Sequence, residues 1–118
     1  MVPPALHRGD VVLVPFPFTD LSGQKMRPAL VISPDPDDRD ILVAFISSVV
    51  PPVPEPTEHV LDAAHPAFIQ TGLKHTSVFK MGKLATLHRS LILRRIGHTT
   101  PELQKLLDAA LKQAVGLV

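Results

Sequence analysis

The sequence contains no cysteine. Disulfides and thiolate metal sites are therefore excluded, and a reducing cytoplasm is the expected setting. Tryptophan and tyrosine are also missing, which leaves five phenylalanines. A broad base-stacking platform is not expected from so few rings. The net charge is only +1. A protein that grips a long duplex through many phosphates is usually more basic, so a nucleic-acid partner should be a short stretch held in a local groove. No apolar run approaches the roughly 20 residues that span a bilayer. Residues 1–10 carry no apolar segment of the export type. The glycine motifs of P-loops, dinucleotide folds and nucleophile elbows do not occur. The six histidines, at positions 7, 59, 65, 75, 88 and 98, include no helical i, i+4 pair and no H-E-x-x-H. Solvated surface histidines are the better reading than a metal site. The acidic run Asp35, Asp37, Asp38 and Asp40 lacks the glycine and distal glutamate of a calcium loop and reads as a polar turn.

What is present suits one compact domain over 1–118, with 1–7 as a loose leader. Hydrophobic residues make up 45% of the 118, enough to build a core and too many for a disordered chain. The β-branched and apolar stretch over 10–15 predicts a strand that Pro15 and Pro17 bring to an end. The segment 19–25 is rich in turn formers and predicts an exposed, mobile loop. A second strand is expected over 26–33, with Pro28 near its start. A third, over 41–47, is apolar throughout and should be buried on both faces. The Pro-rich 51–56 is an extended connector. A short strand follows over 58–61, then an irregular stretch over 63–75. Two more strands are expected over 77–80 and 90–96, with a polar corner over 81–89 between them.

The C-terminal segment has a different period. Leu103, Leu106, Leu107, Ala110, Leu111, Ala114 and Val115 recur at helical spacing. Thr100 is a good N-cap, Pro101 suits the first helical position, and Glu102 complements the helix dipole. The expectation is a helix over 101–116. Short strands followed by one amphipathic helix define a mainly β fold with α: a small β-barrel with a helix packed on it.

The N-terminal third carries a recognisable pattern. Arg8-Gly9-Asp10 opens a strand, a loop runs to Met26, and Arg27-Pro28-Ala29-Leu30-Val31-Ile32 follows. Taken with Val43-Ala44-Phe45-Ile46-Ser47, the stretch 77–97 and the terminal helix, this resembles the MazF/PemK-type toxins of type II toxin–antitoxin systems. The resemblance implies an SH3-like barrel of the CcdB/MazF/PemK type, a homodimer, and an endoribonuclease that cleaves single-stranded messenger RNA. It also implies a cognate antitoxin partner and no cofactor. In the family an arginine at the R-P position and a threonine at the end of the third strand form the catalytic pair; here these positions hold Arg27 and Ser47. Serine keeps the hydroxyl but loses the methyl that fixes its rotamer, and Ser48 competes for the role. The acidic loop residue of some relatives is replaced by Ser22.

The chemistry agrees with these residue types. RNA supplies its own nucleophile, the ribose 2′-OH, so an enzyme need only align it, ease two proton transfers and stabilise the phosphorane charge. Arginine's planar, permanently charged fork suits the last task better than proton transfer. A serine hydroxyl adds a hydrogen bond, and no metal is required. Ser22, Gln24 and Lys25 are expected to line the RNA groove, against an equal reading as solvated loop residues. Lys80, Lys83, His88 and Arg89 read equally as phosphate contacts or as a solvated basic corner. Two other functions remain open: a non-catalytic SH3-like module binding RNA or peptide, and a gyrase poison of the CcdB type, which shares the fold.

Overall fold

The computed structural model describes residues 5–16, 25–32 and 39–117, the side chain of Phe16 excepted. Six strands occur in it: β1 (Asp10–Phe16), β2 (Lys25–Val31), β3 (Asp40–Ser47), β4 (Glu58–Leu61), β5 (Ser77–His88) and β6 (Arg94–His98). Two helices, α1 (Phe68–Thr71) and α2 (Pro101–Val115), complete the fold. The strands form one sheet in the order β4-β5-β3-β2-β1-β6. Every pairing is antiparallel. The sheet curls into a half-barrel.

Period-two alternation gives this sheet two apolar faces. Leu30, Ala44, Ile46, Phe79 and Met81 point to one side, where Leu103, Leu107 and Ala110 of α2 cover them. Ala29, Val31, Ile41 and Val43 point to the other and pack with Leu87 and Ile92. This explains why 41–47 reads as apolar throughout. The last residues of the leader are tied down, since Leu6 packs on the second cluster.

α2 begins where its capping residues dictate. Thr100 Oγ1 accepts the Leu103 N–H at 3.2 Å, Pro101 occupies the first turn, and Gly116 closes the helix at φ 73°. The Gly9-Asp10 pair also has a structural meaning. Gly9 holds φ +93°, and a Cβ there would come 2.8 Å from Thr99 Oγ1. The buried Asp10 carboxylate accepts the His7 N–H at 2.8 Å and pairs with Arg95 Nε at 3.0 Å. This pair therefore fastens the start of β1 to β6.

Three expectations need correction. The polar corner over 81–89 is strand up to His88, because β5 runs unbroken from Ser77 to His88. Its polar residues reflect a bulge rather than a turn: Ala44 pairs with Leu84 but Phe45 pairs with Lys80, so Met81, Gly82 and Lys83 are extra on the β5 side. The strand expected over 90–96 begins only at Arg94, after a 3₁₀ turn over Arg89–Leu91. The irregular stretch over 63–75 contains α1. The expected mobile loop over 19–25 lies outside the described residues apart from Lys25.

Candidate functional site

β2 stays paired with β1 down to Lys25 opposite Phe16. Its ladder with β3 stops much sooner, at Ala29 opposite Phe45. Pro28 is the next residue, and it has no N–H to give. Beyond it β2 and β3 part, and the first side chain on the Ala29 face is Arg27. On β3, alternation puts Ser47 on the same face as Phe45. Arg27 and Ser47 thus lie at the mouth of the gap between the two strands.

Two cavities open there. The first, of about 210 Å³, is walled by Arg27, Phe45, Ser47, Val49, Lys80 and Lys83. The bulge in β5 brings both lysines to it. Ser47 Oγ accepts the Val49 N–H at 3.1 Å. That bond holds the rotamer, a task the missing methyl would otherwise perform, and leaves the hydroxyl proton for a further acceptor.

The second cavity, of about 350 Å³, lies across the sheet from the first and also includes Arg27. Ser48 opens into it, as alternation requires of the residue after Ser47. Lys74, His75, Ser77 and Arg94 reach it from the far end of the chain. Among the described residues no carboxylate lines either cavity. The modest net charge of the whole chain thus conceals a local concentration of cations on both sides of Arg27.

Of the residues expected from the sequence, Arg27, Ser47, Lys80 and Lys83 come together in one cavity, and Ser48 joins Arg27 in the other. Lys25 is exposed at the start of β2 and lines neither cavity. Ser22 and Gln24 lie outside the described residues. His88 turns away to its own segment, its Nδ1 lying 2.7 Å from Ser90 Oγ. Lys74, His75 and Arg94 were not anticipated. A signal for Arg94 exists in the adjacent Arg95: the two neighbours must face opposite sides of β6, and Arg95 is engaged by Asp10. Among the described residues, no three histidine, aspartate or glutamate side chains converge. No helix among them is long and apolar enough to cross a membrane.

A curled antiparallel half-barrel, backed by a C-terminal helix and opened by a gap between its second and third strands, defines a small barrel with a cation-lined cleft. The family model for PemK-like, MazF-like toxins of type II toxin–antitoxin systems matches residues 7–115. The chain belongs to this family. Solved structures with the same fold include the MazE–MazF complex of Deinococcus radiodurans, with TM-score 0.74 at 20% identity, covering 98% of this chain and 100% of that one. A mycobacterial endoribonuclease in complex with its cognate antitoxin gives TM-score 0.72 at 20% identity, covering 97% and 98%. The Mycobacterium tuberculosis toxin MazF-mt6 gives 0.69 at 23% identity, covering 92% and 98%. No curated protein sequence matches the chain significantly.

Proposed function

We propose that this chain is a toxin whose activity is the sequence-specific cleavage of single-stranded RNA in the cytoplasm, by attack of the ribose 2′-OH and without a metal. The observation that carries this reading is the shared cavity of Arg27, Ser47, Lys80 and Lys83. The guanidinium holds the scissile phosphate through its two-pronged geometry and opposes the charge that grows on the phosphorane. Ser47 donates its hydroxyl proton to the same oxygens, oriented by the bond it accepts from Val49. The two lysines hold neighbouring phosphates. Ser22, Gln24 and Lys25 contribute further contacts to the RNA strand. The chain acts as a homodimer, and a cognate antitoxin occupies the RNA groove. The mycobacterial endoribonuclease of the same fold is complexed with such a partner, which supports this reading by analogy.

The direct test is incubation of the purified protein with a long single-stranded RNA in EDTA. Discrete fragments ending at a short common sequence are expected. Full-length recovery of varied RNAs by correctly folded protein would leave a non-catalytic binding module instead. Light scattering should show a dimer at micromolar concentration.

A further inference from the structure

The larger cavity is not needed for the proposed cleavage step. It sits across the sheet from Ser47, and its far wall comes from a part of the chain remote from Arg27. Its floor is apolar, with Leu13, Leu73 and Ile96, while Lys74, His75 and Arg94 stand around it. Its volume of about 350 Å³ falls within the range of small-molecule sites, which begins at roughly 300 Å³. An apolar floor under a cationic margin suits a ligand with a flat, weakly polar body and an attached anion.

The wall is held rigidly. Gly72, at φ +73°, lies so close to β6 that a Cβ would come 2.1 Å from the Ile96 carbonyl oxygen. Gly97 meets the other side of the same contact, where a Cβ would come 2.3 Å from the Gln70 oxygen. Backbone packs on backbone, and the residues that follow Gly72, Lys74 and His75, are brought beside Arg94 at the start of β6. Arg27 belongs to both cavities. A phosphate on Arg27 would therefore have one neighbouring nucleotide on the Ser47 side and the next on the Arg94 side.

We infer that the cavity of Lys74, His75 and Arg94 is a nucleotide-binding pocket that takes a base flanking the cut site on its apolar floor and the adjoining phosphate on its cations. This assignment rests on the reading of Arg27 as the phosphate anchor. The pocket is a positioning and specificity element, not part of the bond-breaking machinery.

The probe is a fluorescent, mixed-sequence DNA decamer, which offers bases and phosphates but no 2′-OH. Its affinity is measured between 50 and 200 mM salt for the wild-type protein, for Lys74→Ala/Arg94→Ala, and for Lys105→Ala on the exposed side of α2. Cut sites on a long RNA are mapped for the same proteins. The double variant should bind at least about tenfold more weakly. Its salt slope should be shallower by about 0.7 for each phosphate that the variant no longer neutralises, and its cut-site sequence should be relaxed. Lys105→Ala should match the wild type. If the double variant folds poorly, Ser48→Phe, which fills the pocket from an exposed strand end, should weaken binding in its place. Unchanged affinity, salt slope and cut pattern in the variant would overturn the pocket. A wild-type protein that binds the decamer, loses it in the double variant, and cuts no RNA would uphold the pocket and remove the ribonuclease reading. A wild-type protein that neither binds nor cuts would remove both.

Discussion

Arg27 on β2 and Ser47 at the end of β3 share the wall of one cavity of about 210 Å³, two residues past the last pair of their ladder, Ala29 opposite Phe45. Pro28 ends that ladder at a point where β1 still holds β2 in place. The R-P dipeptide thus combines a cation with the break in pairing that gives the cation room.

Arg27→Ala should abolish RNA cleavage and leave the fold intact, because the side chain is exposed and its removal opens no core cavity. Arg27→Lys should also be poor, since a point ammonium cannot reproduce the two-pronged geometry. Fragment yield from a labelled RNA, read beside circular dichroism, checks both. Full activity in the alanine variant would exclude the proposed anchor.

Ser47→Ala should cost less. One hydrogen bond to a charged group is worth roughly 1.5–3 kcal/mol, or about one to two orders of magnitude in rate. Ser47→Thr should retain activity, because it keeps the hydroxyl and stiffens its rotamer. Single-turnover rates on one oligonucleotide order the three proteins. An alanine variant as fast as the wild type would point to Ser48 or to no hydroxyl at all.

A substrate carrying a single 2′-deoxy sugar at the cut site should bind and resist cleavage, since its nucleophile is gone. Cleavage at the all-ribose rate would show that the attacking group lies elsewhere and that the Arg27–Ser47 scheme is wrong.

Acid should loosen α2 from the N-terminal segment. Burial works on Asp108 in the upward direction and is the largest single influence. Hydrogen bonds from Arg8 and Gln104, with the charges of Arg8 and Lys112, together hold its carboxyl below the usual value of 3.8. Its folded pKa is depressed, so its contribution is present above the unfolded value and is lost as pH falls through the folded one. Asp108 and Arg8 are both more than a third exposed, so the pair is worth only about 0.2–1 kcal/mol. Arg8→Ala should lower stability by that much at pH 7 and by less near pH 3. Half-buried His59 acts higher on the scale. Burial first, and His65 second, push its pKa below 6.5. Stability should therefore fall as pH drops below about 6.5, and His59→Gln should flatten that limb. Urea unfolding from pH 3 to 8 measures both effects. A wild-type curve without either slope would contradict the assignment.

Gly97→Ala should destabilise the fold by roughly 1–3 kcal/mol or more, the usual cost of overpacking. The new Cβ would land 2.3 Å from backbone atoms of Gln70 and Thr71. A matching drop in Tm is expected; an unchanged Tm would mean that α1 and β6 are free to separate.

Much of the fold was legible because its signals are local. The caps and apolar stripe of α2 lie within one stretch of chain, and the observed helix starts on the expected proline and ends one residue earlier than expected. The first three strands and β4 were likewise placed close to their observed bounds. β5 was misread at Met81–His88 because its polar residues look like a corner until β3 is set beside it. The pairing with β3 keeps the chain extended, and the bulge absorbs the three extra residues.

The sequence by itself determined the family, the strand-then-helix order and the identity of Arg27 and Ser47 as candidates, since each rests on residue types at short spacing. Tertiary structure alone decided that Ser47 and Ser48 open to different cavities, and that Lys74, His75 and Arg94 gather around the one that Arg27 shares with Ser48. The physical reason is the topology. β6 returns from the end of the chain to pair with β1, and the contact of Gly72 with Ile96 lays the α1 turn against it. Cations far along the chain from Arg27 then meet it across a gap that no local pattern encodes.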